Sequence, residues 1–421
     1  QITFIDPPYN TGGDEFIYND KFRHSAWASM MHNRLELAAK LLTHNGSLWI
    51  TLDDREAANC RQVGEQILGS ENFVSLVAWQ KVYSPRMDAK QFSSSFDSIL
   101  VFSRSGNWKP NQLTIEPDLD QFSHIDKDGR RYRSDPLRKW GKNSARKDRP
   151  NLWYPIKSPE GKKVYPIKPD GTEGCWRWSE TTTLDNYDKL DWLDKGNGIQ
   201  PYVRQYADES TSRPPETLWF YEDVGSTHES QEEIKSLFSQ LKYFTPKPTR
   251  LVEHAFNIGA NSNDIIVDFF AGSGTTANAI INLNRNDKKK RKYVLVEMGD
   301  YFDTVIVPRI KKVVYSDSWK SGIAQEGKGI SHFAKYFELE QYEDALKRAR
   351  YEDVDTPLFI GADAYNSYVF LRDLKMLEAV KVNKEQNKVE VNLEKLYEGI
   401  DLAETLSCLT GKWIKHITKD T

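Results

Sequence analysis

The chain has 421 residues with a formal net charge of -3, and 38% of it is hydrophobic and 12% aromatic. That supplies a sizeable core, on a length suited to two or three domains of roughly 150 residues each. Nothing approaches the ~18 uninterrupted apolar residues of a membrane span and no secretory pattern opens the chain. Cys60, Cys175 and Cys408 are too scattered for a disulfide framework or a zinc site, which points to a reducing cytosol.

Residue 1 is Gln, and Ile2 to Ile5 read as a buried strand already in progress, stopped by Asp6-Pro7-Pro8. A sheet seldom starts on such a strand, so the expectation is that residues upstream are missing. After a polar loop from Asn10 to Arg23, Trp27, Met30, Met31, Leu35, Ala38 and Leu41 recur at helical spacing. Asn45-Gly46 ends that helix. Ser47 to Leu52 is a second strand, closed by Asp53-Asp54, and a helix runs to about Leu68. Strands follow at Phe73 to Trp79 and Ser98 to Ser103. This rhythm predicts a doubly wound α/β sheet.

From 106 to 242 the rhythm dissolves into a stretch rich in Trp, Tyr, Arg, Lys, Pro and Gly, read as an inserted domain. Between His124 and Lys168 it carries fourteen Lys and Arg against five Asp and Glu, and a basic surface is the footprint of phosphate binding. Candidate contacts are Arg130, Arg131, Arg133, Arg138, Lys139, Lys142, Arg146, Lys147 and Arg149. After about Ser316 the character changes again. A hairpin over 379–392 and a helix through Leu402, Leu406 and Leu409, ended by Gly411, predict a smaller α+β region. The run Lys288 to Lys292 reads as a solvated loop. No pair of the eight histidines has metal-ligand spacing, and His24 and His32 suit a surface or capping role.

Regular α/β patterning returns at Ile265. The strand Ile265 to Phe270 carries one acid, Asp268, and runs into Ala271-Gly272-Ser273-Gly274 and a helix from Thr275. Glycines let the backbone turn sharply against a ligand, and the helix N-terminus offers free N–H groups. A dinucleotide fingerprint needs a third glycine. Phe270 to Thr275 instead suits S-adenosylmethionine, its amino-acid end over the turn. Glu297, at the tip of the next strand, is placed to accept from both ribose hydroxyls. A plain tight strand–helix connection is the competing account of the turn.

The tetrapeptide Asp6-Pro7-Pro8-Tyr9 also sits at the C-terminal end of its strand, where ligands bind in open α/β sheets. An exocyclic amine of adenine is a poor nucleophile, because its lone pair is delocalised into the ring. The Asp6 carboxylate accepts one N–H and the Pro7 carbonyl the other, which favours a more tetrahedral nitrogen. Pro7 and Pro8 stiffen the turn, and Tyr9 offers a ring to a base flipped out of a duplex. The bland alternative is a proline turn with Tyr9 packed in the core.

Taken together, Asp6-Pro7-Pro8-Tyr9-Asn10-Thr11-Gly12, Tyr18-Asn19-Asp20, the Arg34-Leu35 helix and the later Phe270-Ala271-Gly272-Ser273-Gly274 resemble a β-class amino-methyltransferase. More specifically they resemble the modification subunit of type III restriction-modification systems. Thr245-Pro246-Lys247-Pro248 is similar to that family's first cofactor segment, adding Thr245 and Lys247 to the cofactor site, and Phe337-Glu338-Leu339-Glu340 is suggestive further on.

The resemblance implies a Rossmann-like methyltransferase sheet. Residues 1–105 would be its catalytic half, 106–242 a target-recognition insert, 243–315 the cofactor half and 316–421 a C-terminal region suited to dimerisation. It also implies adenine-N6 methylation of double-stranded DNA, S-adenosylmethionine as cofactor, a homodimer, a helicase-nuclease restriction subunit as partner, and a prokaryotic cytoplasm. Cytosine N4 needs the same two acceptors, but Asp at the first position leans towards adenine. An RNA substrate and a DNA-binding fragment without catalysis are the other readings. For Asp53 and Asp54, strand-end capping competes with contact to cofactor or base.

Overall fold

The structure, a computed structural model, describes residues 1–12, 20–85, 87, 89–114, 117–194, 196, 198–209, 212–239, 245–339, 379–383, 388–392, 395 and 401–417. Tyr18, Asn19 and Glu340 lie outside the described residues. Two compact units divide the chain, Gln1–His332 and Phe333–Thr421.

The first unit begins with β1 (Ile2–Ile5), α1 (His24–Leu41), β2 (Ser47–Leu52), α2 (Ala57–Leu68), β3 (Phe73–Gln80) and β4 (Phe96–Ser103). In the insert, β5 (His124–Ile125), β6 (Arg131–Pro136), β7 (Leu190–Asp194) and β8 (Ile199–Tyr206) form a four-stranded sheet in the order β7-β8-β6-β5. Then come β9 (Leu218–Trp219), α3 (Thr227–Leu237), α4 (Thr249–Gly259), β10 (Ile265–Asp268), α5 (Thr275–Asp287), β11 (Lys292–Leu295) and α6 (Ile306–Tyr315).

The main sheet has seven strands in the order β9-β3-β4-β2-β1-β10-β11. All run parallel except β4, which is antiparallel to both β2 and β3. The sheet is therefore mixed. It also takes Leu218–Trp219, which fall within 106–242, as an outer strand beside β3.

Alternation along the strands splits the core into two layers. Ile5, Leu48, Ile50, Leu52, Leu100 and Phe102 meet α1 and α2 through Trp27, Met31, Leu35, Cys60 and Val63. Phe4, Trp49, Trp79, Ile99 and Val101 meet α4 and α5 through Leu251, Ala255, Phe256 and Ile280. Leu41, counted on the apolar face of α1, is instead 61% exposed, and Leu42 is buried in its place. In the Lys288 to Lys292 run, Arg291 departs from the expected solvated loop: it is buried and ion-paired to Asp287 at 2.8 Å.

In the second unit, Val380–Asn383 and Lys388–Val391 form the anticipated antiparallel hairpin. The helix Leu402–Thr410 is capped by Asp401, whose side chain accepts from the Glu404 N–H, and it ends at Gly411.

Helix α2 rests on β4 at a point with no spare room. A Cβ on Gly64 would lie 2.5 Å from the Phe102 ring. Gly64→Ala is expected to destabilise the fold by about 1–3 kcal/mol through overpacking, read as a lower urea midpoint at unchanged slope.

Candidate functional site

Strands β1 and β10 lie side by side, with Ile2 opposite Ile266 and Thr3 opposite Val267. From β1 the chain crosses to β2 on one side, and from β10 to β11 on the other. The two connections diverge, so a crevice opens above the strand ends between them, the usual ligand position in such sheets. The Asp6 turn and the glycine turn are its two walls.

On the first wall, the Asp6 carboxylate accepts from the Thr51 hydroxyl through Oδ1 and pairs with Lys247 Nζ at 2.8 Å through Oδ2. The Trp27 indole N–H donates to the Pro8 carbonyl at 2.7 Å, which fixes the turn against α1. Among the described residues the Pro7 carbonyl accepts no hydrogen bond. Tyr9 donates its hydroxyl to Asp97 at 3.3 Å, and Lys81 pairs with Asp97 at 2.7 Å. Burial, then the Asp6 and Asp97 carboxylates, hold the Tyr9 hydroxyl well above its ordinary pKa, so it stays a neutral donor. The Lys247 ammonium lies 4.7 Å from the Tyr9 ring centroid, a cation–π distance. Lys247 therefore touches both ends of the tetrapeptide, while Thr245 is exposed.

Beyond the tetrapeptide, a polar net holds the loop. Asn10, at φ 60°, and Thr11 donate their backbone N–H groups to the buried Asp20. The buried Glu56 accepts from Asn10 Nδ2 at 2.6 Å and from Asn59 at 2.7 Å, and lies 2.6 Å from His24 Nδ1. His24 thus sits at the mouth of α1, tied to the loop, and His32 is exposed. Asp53 accepts from the Arg55 N–H at 3.0 Å, the geometry of a strand-end cap.

On the second wall, Gly272 and Gly274 have φ of 54° and 79°, left-handed values that L side chains avoid. A Cβ at Gly272 would meet only the Phe270 carbonyl, at 3.8 Å, so that side of the turn is open. Asp268 is buried; it accepts from Thr276 at 2.6 Å and from the Phe270 N–H at 3.0 Å, closing the turn on its own strand. Ala271 is buried, and Phe270 is half-buried against the α1–α2 core.

Ser273 and Thr275 turn inward. Arg309, fully buried on α6, donates to the Ser273 hydroxyl at 2.9 Å, the Thr275 hydroxyl at 3.0 Å and Asn278 at 3.1 Å. Their hydroxyls are thus spent on the fold, and what these residues present outward is backbone. Glu297 accepts from the Gly272 N–H at 2.7 Å and from the Met298 and Gly299 N–H groups at 2.9 Å each. The Tyr301 side chain also hydrogen-bonds this carboxylate, so its roughly four acceptor sites are all engaged. Glu297 takes a ribose hydroxyl only by exchanging a bond it already holds.

The residues the sequence did not single out include Thr51, Glu56, Lys81, Asp97 and Arg309. Asp97 and Lys81 belong to facing ends of a hairpin, a pairing invisible until β3 and β4 are aligned. Arg309 had one signal, a lone cation in the apolar run Ile306-Val307-Pro308-Arg309-Ile310.

In the insert, several basic residues are already paired. Arg130 binds Asp208 at 2.8 Å and Glu209 at 3.0 Å, Arg133 binds Asp135, and Arg146 binds Glu173 at 3.0 Å. Three of these acids lie outside the window in which the charge was counted. Among the described residues, Arg131, Arg138, Lys139, Lys142, Lys147 and Arg149 carry no ion pair, and Trp140 beside them is 74% exposed. No three His, Cys, Asp or Glu side chains among the described residues could hold a metal ion.

Two measurements test the second wall. Burial, opposed by Thr276 and Phe270, pushes the Asp268 carboxyl up to about 7. A folded-state pKa above the unfolded one means that this group costs stability as pH rises from about 4 to about 7. In Asp268→Asn the amide still serves Thr276 and Phe270, and the fall in unfolding free energy across that window should be shallower than in the wild type. Arg309→Met strands the Ser273, Thr275 and Asn278 acceptors and is expected to cost about 3 kcal/mol or more in urea unfolding.

A family model described as DNA methylase matches residues 1–369. The chain is 28% identical over 353 residues to the EcoPI Mod subunit of a type III restriction-modification enzyme from Escherichia phage P1, covering 71% of this chain and 54% of that one. It is 31% identical to the StyLTI Mod subunit from Salmonella typhimurium, over 70% of this chain and 48% of that one. It is 32% identical to the type II methyltransferase M.KpnI from Klebsiella pneumoniae, over 70% of this chain and 74% of that one. The chain thus spans about half the length of the two type III relatives. The glycine turn and the Asp6-Pro7-Pro8-Tyr9 turn both lie inside the matched stretch, and the chain belongs to the DNA methylase family.

Proposed function

We propose that the protein transfers a methyl group from S-adenosylmethionine to the N6 amine of an adenine flipped out of double-stranded DNA. The observation that carries this reading is the placement of the Asp6 turn and the Gly272 turn on adjacent parallel strands, facing one crevice. The residues fit the cofactor. Gly272 leaves room for it, the helix α5 N-terminus offers N–H groups, and Glu297 reaches a ribose hydroxyl by exchanging one of the bonds it now holds. When bound, the cofactor supplies an electrophilic sulfonium methyl.

The protein's part is positioning. Of the roughly four acceptor sites on the Asp6 carboxylate, Thr51 and Lys247 use two and hold it still. The remainder accepts one N–H of the amine, and the Pro7 carbonyl accepts the other. Both bonds favour a tetrahedral nitrogen whose lone pair is out of conjugation with the ring, where it is nucleophilic. Tyr9, pinned through Asp97, gives the extruded base an aromatic contact that offsets part of the unstacking cost. The N4 amine of cytosine would need the same acceptors, and Asp at the first position favours adenine. Arg131, Arg138, Lys139, Lys142, Lys147 and Arg149, carrying no ion pair among the described residues, are the cations for phosphates. Arg130, Arg133 and Arg146 would first have to leave their carboxylates.

The names of the type III relatives support a role as a modification subunit. In that setting a restriction subunit with helicase and nuclease activity is the partner, and a second copy of the chain the dimer mate.

Asp6→Ala is expected to lower methyl transfer to plasmid DNA by about a hundredfold or more, while calorimetric S-adenosylmethionine binding persists; unimpaired transfer would remove Asp6 from the chemistry. Gly272→Val should abolish cofactor binding, and undiminished affinity would move the cofactor elsewhere. Converting Arg138, Lys142, Lys147 and Arg149 to Gln should flatten the salt dependence of DNA binding by about 0.9 in log–log slope for each phosphate no longer neutralised. An unchanged slope places the DNA surface outside this loop.

A further inference from the structure

The insert holds a cleft of about 610 Å³, away from the Asp6 turn, with Trp153, Lys163, Tyr165, Ile167 and Gln200 among its walls. That volume lies within the ~300–1,000 Å³ typical of small-ligand pockets. Its walls come from ordered elements. Trp153 follows the short turn Pro150–Leu152, Lys163 belongs to a two-stranded ribbon with Ile156–Lys157, and Gln200 lies on β8 opposite Leu193.

Three features of the cleft point to one kind of ligand. The Trp153 and Tyr165 rings lie 5.3 Å apart at 30°, and Tyr165 remains 37% and Ile167 41% exposed. A tilted aromatic pair with an exposed ring at an open cleft offers a stacking surface, which a base needs only when it has lost its own neighbours in the duplex. Lys163 is the only charged residue among the described ones lining the cleft; Arg146, 4.9 Å from the Trp153 centroid, is already paired with Glu173. Lys163 therefore supplies the positive charge that suits an anionic ligand. Finally, Gln200 Oε1 is buried with no hydrogen-bond partner. A buried amide oxygen calls for a donor, and the exocyclic amine of a base is one.

We propose that this cleft is a second base site, which takes an unpaired amine-bearing base of the bound DNA other than the one methylated, with Gln200 selecting it. The inference rests on the proposed action on DNA. In it, Gln200 Oε1 accepts from N6 of adenine, N4 of cytosine or N2 of guanine, Trp153 and Tyr165 stack on the ring, and Lys163 meets the phosphate. Recognition of the target sequence then involves extrusion at two positions, one for chemistry and one for selection.

The test begins with plasmid DNA methylated in vitro and modified-base sequencing, for the wild type, Gln200→Ala and Trp153→Ala, each checked for an unchanged melting transition. Gln200→Ala should still methylate but accept other bases at one position of the recognised sequence, and the base required there by the wild type tells adenine, cytosine and guanine apart. Trp153→Ala should bind the matched duplex about tenfold more weakly. Mispairing that selected base should tighten binding by the wild type, because extrusion then costs less, and Trp153→Ala should lose the gain. If both variants methylate the same sequence as the wild type with equal kcat/KM, or the mispair brings no gain, the cleft is not a base site. Absence of any methylated base with the wild type would instead overturn the reading on which the cleft depends, and the cleft with it.

Discussion

The register of β1 against β10 is the constraint on which the rest depends. Ile2 and Thr3 come from the start of the chain and Ile266 and Val267 from well past its middle, yet their backbones share one ladder. That ladder brings the Asp6 turn beside the Gly272 turn, and the divergence of the next two connections opens the space between them. Neither turn makes a site alone. A slip of one residue would exchange the faces of β1, turning Phe4 away from Phe256 and Ile5 away from Trp27, so the two core layers enforce the register that the site needs.

A second tier of contacts then fixes the turns themselves, and it is polar. Lys247 ties Asp6 to the segment just before α4, while Arg309 ties the glycine turn to α6. Each cation joins pieces of chain that no strand ladder connects. Packing sets where the strand ends lie, and these hydrogen bonds set which way their carbonyl and N–H groups face. This division suits a site in which a few acceptors must be aimed and must not move.

Much of this was legible in the residues. The alternating and continuous apolar runs located the strands at Ile2, Ser47, Phe73 and Ile265, and helical spacing located Trp27 to Leu35. The two turns announced themselves through proline and glycine, whose backbone limits are local. What was hidden is what depends on partners. Strand direction leaves no trace in periodicity, so the reversal of β4 and the mixed sheet were not visible. Leu218–Trp219 are too short to show any pattern, although they complete the sheet. The basic window overstated its free charge, because Asp208, Glu209 and Glu173 return from distant positions to neutralise part of it. The role of Arg309 shows only once it is found on the buried face of α6 with Ile306 and Val313.

The reversal of β4 has a consequence for how such a protein can vary. Because that strand runs against its neighbours, Ser103 lies level with Ser47, at the end of the sheet opposite Asp6. The insert therefore departs from the side away from the crevice. It returns through β9 beside Ala78 and Trp79, so changes of length between Ser103 and β9 enter the sheet away from the strand ends that carry Asp6 and Gly272. The inserted segment and the paired turns are separable parts of one polypeptide, and a lineage can exchange the first while keeping the second.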